Sequence, residues 1–237
     1  MKSLQLTSLL ALGLVTLAAL PAHAVTPFSE NFSATPLNAS RWSLTKEGGL
    51  LKPSNGKLLY SVTTVGSDSL SYIMLRGIQP GYNESWEVTV NAVNSTRSQT
   101  ENWTSIGVAV LNAADPDDIV GLEIEAGDQN AIYSDFKTNG VESADVEKKI
   151  SSSKASLRVT FSSVTKIITL WYRTSPTLAW RKHATFSTTN SASAQYRGNW
   201  RMKTTGKFNL ALYGSSDGDK VPAGQMSLDN FVVRNLK

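Results

Sequence analysis

The chain of 237 residues contains no cysteine. That removes any disulfide framework, any thiolate metal site and any cysteine nucleophile. Histidine is almost as scarce, with only His23 and His183. His23 falls in an apolar leader, so a Ser-His-Asp triad would depend on His183, and no G-x-S-x-G elbow accompanies it. The same shortage argues against zinc. A single-signed patch is missing too: the formal net charge is +4, and the basic residues are scattered. The densest cluster, "WRKH" at 180–183, reads as strand and would split its charges between two faces. No nucleic-acid partner is expected. Helical periodicity is nearly absent, and there is no internal repeat.

The one notable apolar run, "LLALGLVTLAAL" at 9–20, follows a positive start and precedes the small-x-small sequence Ala22-His23-Ala24. This is the plan of a secretory signal peptide at 1–24, and the run is too short for a comfortable membrane span. The expected mature chain is 25–237, exported to the periplasm or outside the cell, with no span of its own. Its length suits a single all-β domain.

What the chain has is strand signal. "KLLYSVTTV" (57–65), "SWEVTVNAV" (85–93), "TSIGVAVLN" (104–112), "DIVGLEIEA" (118–126), "ASLRVTFSS" (155–163), "KIITLWYRT" (166–174) and "KFNLALYGS" (207–215) are among eleven runs rich in β-branched and aromatic residues after position 56. Weaker ones lie at 27–32 and near Gly49. Turn residues bound each run, and Asn139-Gly140 suits a type I′ hairpin. In "SWEVTV" Trp86, Val88 and Val90 share one face, with Glu87 and Thr89 on the other. Two stacked antiparallel sheets, a jelly-roll β-sandwich, bury such strands most simply. The polar stretch 189–207 reads as a long surface loop.

"FSENFSATPLNASRWSL" (28–44) with "NGKLLYSV" (55–62) at one end, and "GQMSLDNFVV" (224–233) at the other, resemble the opening and closing strands of the concanavalin A-like lectin/glucanase superfamily, which includes LamG-like domains. The resemblance implies the same sandwich. It also implies a structural calcium between first and last strands, with Glu30 and Asp229 at the matching positions. Family 16 glycoside hydrolases of that superfamily carry E-x-D-x-E or E-x-D-x-x-E on a concave strand. Glu123, Glu125 and Asp128 in "GLEIEAGDQN" (121–130) reproduce the longer spacing but not the residue types. Asp128 would replace a glutamate one methylene longer. These three are the candidate catalytic carboxylates; the alternative is that alternation alone puts Glu123 and Glu125 on a solvated face.

A binding surface needs less tuning: aromatic faces against sugar C–H bonds, with a few polar groups for the hydroxyls. Trp103, Tyr133, Tyr172, Trp180 and Trp200 are the candidates. Trp103 and Trp200 follow polar loop residues and are expected to be exposed. A lyase centre would gather Tyr172, Arg173, Arg181 and His183. The expected function is therefore a non-catalytic carbohydrate-binding or extracellular interaction module with a glycan partner. A glycoside hydrolase or polysaccharide lyase in the concave face, and a structural envelope protein without a sugar ligand, are the alternatives.

Overall fold

A computed structural model describes residues 25–64, 66, 68–96 and 102–236; the leader at 1–24 lies outside them. The strands, in chain order, begin with β1 (Phe28–Glu30), β2 (Trp42–Glu47), β3 (Leu50–Ser54), β4 (Lys57–Val62) and β5 (Ser69–Leu75). There follow β6 (Trp86–Asn94), β7 (Thr104–Asn112), β8 (Asp115–Ala126), β9 (Asn130–Thr138) and β10 (Val141–Lys149). The last are β11 (Lys154–Ser162), β12 (Ile167–Arg173), β13 (Arg181–Ser187), β14 (Tyr196–Arg197), β15 (Phe208–Ser216) and β16 (Val221–Asn235). No described residue is helical, so no helix among them is long and apolar enough to cross a membrane.

Two sheets result. One has seven strands, all antiparallel, in the order β10-β9-β8-β7-β15-β5-β2. The other has nine, running β14-β13-β12-β11-β6-β16-β4-β3 with β1 added against β16. Period-two alternation explains the stacking: on β6 Trp86, Val88 and Val90 point inward, and on β8 Val120, Leu122 and Ile124 do, all essentially inaccessible to solvent. Trp86, Phe161 and Phe208 pack together at one end of the core, Phe161 and Phe208 with ring centres 4.7 Å apart. Beneath β1 and β2, Trp42 meets Phe28, Phe32 and Phe231. The two chain ends are neighbours, as the terminal motifs predict: Phe28 pairs with Val233, and the Val25 amide donates to Asn235 Oδ1 at 2.7 Å.

Two expectations fail. β10 carries no recognisable strand signal, because "VESADVEKK" forms the outer edge of the seven-stranded sheet and only Ala144 and Val146 touch the core. Its charges suit an unpaired edge, where they oppose pairing with a second chain. The Asn139-Gly140 turn that leads into it takes the expected left-handed conformations, φ 51° and 73°. The stretch 189–207, in turn, is no simple surface loop. β14 joins β13 in parallel, Thr189 bridges to Asn199, and Trp200 is buried against Phe186 with its indole N–H donating to the Lys137 carbonyl at 3.2 Å.

Candidate functional site

The outer face of the seven-stranded sheet holds a groove of about 680 Å³. Strand register builds it in rows. One row crosses the sheet as Tyr133 on β9, Glu123 on β8, Gly107 on β7, Tyr213 on β15 and Tyr72 on β5. The next, two residues along each strand, runs from Asp145 on β10 through Asp135 and Gly121 to Ala109, Ala211 and Met74. The second row has almost no side chains at its middle, so it forms the floor, and the tyrosines and Glu123 form a wall.

Gly107 sets the contact at the centre of that wall. Adjacent strands stand roughly 4.8 Å apart, so Glu123 and Tyr213 are separated by the whole of β7. A Cβ on Gly107 would lie 2.7 Å from Glu123 Cβ, and its absence lets the two side chains meet over the strand. The Tyr213 hydroxyl donates to Glu123 Oε2. Gly121 does the same for the floor. A Cβ there would fall 2.2 Å from Asp135 Oδ1 and 3.1 Å from the Tyr213 oxygen, so the Asp135 carboxylate and the Tyr213 hydroxyl fill the space over this residue that a side chain would take.

Glu123 is 6% exposed. Burial, with the nearby Asp135 charge adding to it, pushes its carboxyl up to about 8 against the opposing hydrogen bonds from Tyr213 and Ser105. At neutral pH it is a carboxylic acid. Burial, then the Glu123 charge, drives the Tyr213 phenol well above its ordinary value, so it stays a donor. Glu125, next outward on β8, is raised to about 6 by burial and by Glu147 and Asp145 on β10. Asp135 has Lys137 Nζ at 3.4 Å. Tyr133 donates to Asp145 Oδ2 at 3.2 Å.

Of the residues the sequence singles out, Glu123, Trp103 and Tyr133 come together in this groove. Trp103, 40% exposed, stands at its end. Asp128 does not join them: it lies in the exposed bend between β8 and β9, because Gly127 to Gln129 form the turn rather than extend the strand. Trp200 and Tyr172 are buried, against the expectation that Trp200 is exposed. Trp180 is on the opposite sheet, its ring covered by Arg173 at 4.5 Å and Arg158 at 5.6 Å. Of the lyase set, Tyr172 and His183 meet edge to face with ring centres 6.1 Å apart, but Arg173, consecutive with Tyr172 on β12, points to the other face. Burial lowers His183 to about 4.

Glu30 and Asp229 turn to local donors. Glu30 Oε1 accepts from the Phe32 amide at 2.9 Å and the Asn31 amide at 3.1 Å. Asp229 Oδ1 accepts from the Asn230 amide at 2.7 Å. Among the described residues no three acidic or histidine side chains gather.

No protein-family model matches the chain, and no curated protein matches it in sequence. Solved structures do match. Lectin II from Ulex europaeus superimposes with a TM-score of 0.59 at 9% identity, over 90% of this chain and 100% of the lectin. The exoplasmic/lumenal domain of VIP36, in a Ca²⁺/Man2-bound form, gives 0.54 at 11% identity over 89% and 87%. The fold is the concanavalin A-like jelly roll. A third match, the GH43B protein of a Bacteroides ovatus xyloglucan locus, gives 0.57 at 16% identity over 92% of this chain but only 42% of that one. At such identities the concanavalin A-like likeness is one of architecture. No local motif marks Asp135, Tyr213 or Tyr72 in the sequence. The usable signal was the glycine interrupting each of two consecutive strands, "SIGVAV" and "IVGLEI", where a close approach is the usual reason.

Proposed function

We propose that this concanavalin A-like protein is an exported glycan-binding domain that seats a sugar chain in the groove of its seven-stranded sheet. The observation that carries the reading is the groove itself: exposed Trp103 at one end, Tyr72 and Tyr133 along the wall, and carboxyl and hydroxyl groups between them. Aromatic faces for C–H bonds with flanking hydrogen-bond partners are what an uncharged sugar requires. The matching lectins support it, one of them solved with GalNAc. Export rests on the leader sequence at 1–24, and the match to a lumenal domain supports it.

Charge narrows the ligand. Glu47, Asp68, Asp117, Asp135 and Glu142 line the groove beside the protonated Glu123, and the one lining cation among the described residues, Lys137, already lies 3.4 Å from Asp135. A uronate polymer would meet like charge with nothing to neutralise it, so neutral chains are favoured and a uronate lyase is not.

Calorimetric titration of the purified protein with neutral and uronate-containing oligosaccharides tests this. Neutral chains bind and uronates do not. Trp103→Ala weakens binding about tenfold, the loss of one stacking contact of about 1.4 kcal/mol, whereas Trp180→Ala leaves it unchanged. Sensitivity to Trp180 with indifference to Trp103 would move the site to the other sheet and end the proposal.

A further inference from the structure

The groove is acidic in a chain that is basic as a whole. Glu47, Asp68, Asp117, Asp135 and Glu142 line it against Lys137, whereas the full chain carries a formal charge of +4. Strand alternation separates the signs: Arg158 on β11, Arg173 on β12 and Lys182 on β13 lie on the outer face of the other sheet, away from the groove. A neutral chain gains little from that arrangement, and a cationic one is drawn in by it.

The floor of the groove shows how a cation is received. Asp135 Oδ2 faces Lys137 Nζ at 3.4 Å, while Oδ1 lies over Gly121 on the side of the Tyr213 oxygen. The Tyr213 proton is committed to Glu123, so toward a ligand that oxygen accepts. Glu123 is covered and keeps its own proton at neutral pH, which leaves it without charge. Asp135 and Tyr213 thus offer two acceptors, one of them ionised, beside the small side chains of Ala109 and Ala211. A sugar hydroxyl or an acetamido N–H brings one donor to such a pair; an ammonium group brings three, with a full positive charge. Trp103, Tyr72 and Tyr133 supply faces for the C–H side of the ring. Among the described residues the Asp135–Lys137 contact is the only ion pair in the groove, so Glu47, Asp117 and Glu142 have no protein cation beside them.

We propose that the preferred ligand of the groove is a glycan with free amino groups, an amino-sugar chain held as its cation, with Asp135 as the residue that selects the ammonium group. This deepens the glycan-binding reading and rests on it. Affinity then falls from amino sugar to neutral sugar to uronate.

The test is calorimetry with the hexamer of β-1,4-linked glucosamine and with its fully N-acetylated form, at about pH 6, where such amines are protonated. Backbone and length are the same, and the charge differs. The amine is expected to bind about tenfold more tightly, the scale of one charge-assisted contact of about 1.4 kcal/mol. In 1 M salt, with a screening length of about 3 Å, the ratio falls below about threefold. Asp135→Asn brings the ratio toward one, and Lys137→Gln raises it by removing the competing cation, with thermal unfolding showing that both variants are folded. Equal affinity for the two hexamers, or a ratio indifferent to Asp135→Asn, overturns the inference, and binding of neutral chains then leaves the glycan reading standing. Hexalysine is the charge control: affinity equal to that of the glucosamine hexamer would reveal a field without a sugar site and overturn the inference as well. No binding of any sugar, neutral or amino, overturns both proposals.

Discussion

Thermal unfolding moves to lower temperature as the pH is raised from about 6.5 to about 8, and Glu123→Gln removes most of the movement. A carboxyl held at about 8 in the folded protein and near 4.5 in the unfolded chain gives the folded state more bound protons throughout that interval. Stability therefore declines with rising pH until the folded group has ionised. From pH 6.5 to 8 the decline is about 2 kcal/mol, or roughly 4–8 °C in Tm for a domain of this size. His183 acts in the opposite sense lower down. Its folded value near 4 lies below the ordinary 6.5, so its contribution is present above 6.5 and lost as pH falls toward 4. Between about pH 4.5 and 6.5 the two slopes oppose each other and largely cancel. Scanning calorimetry across pH 4–9 on both proteins checks it; a parallel fall in Glu123→Gln would show that another group is responsible.

Gly107→Ala is expected to destabilise the protein by about 3 kcal/mol, at the upper end of overpacking costs. The added methyl would lie 2.2 Å from the Leu122 carbonyl oxygen and 2.7 Å from Glu123 Cα. Both are backbone atoms in the middle of a paired strand, so neither can swing aside as a side-chain tip does. Relief requires β7 and β8 to separate, which weakens the ladder and pulls Glu123 away from Tyr213. Gly127→Ala is the control, because an added methyl there would lie 3.6 Å from the Asn102 carbonyl oxygen, an ordinary van der Waals contact. Urea unfolding should place Gly127→Ala within about 0.5 kcal/mol of the unmodified protein. Equal stability of the two variants would show that the row over β7 is not as tight as described.

Strands buried on one face announce themselves. Trp86, Val88 and Val90 alternate with polar residues, and β6 ends within one residue of the expected limits. β10 shows the reverse: an edge strand gains little from burial, so composition is free to become charged and the alternation disappears. The polar neighbours of Trp200 suggest exposure, but they carry no information about Phe186 and Lys137, which meet it only through the packing of the sandwich. The site was legible in part. Glu123 stood out on β8, but its partners come from elsewhere. Tyr213 lies 90 positions away and is brought near by the β7–β15 pairing, which local spacing does not encode. The spacing of the family 16 motif points to Asp128, whereas the β8–β9 hairpin puts Asp135 on the strand beside Glu123 and turns Asp128 outward.

The six tryptophans report directly on whether sugar occupies the groove of the seven-stranded sheet, because they are distributed over the groove, the core and the opposite sheet. Indole N–H resonances are followed by NMR while a neutral oligosaccharide is added. The Trp103 signal is predicted to shift with saturation, while buried Trp42, Trp86 and Trp200 and the Arg158-covered Trp171 and Trp180 hold still. Saturable shifts at Trp171 and Trp180 with Trp103 unmoved would contradict it.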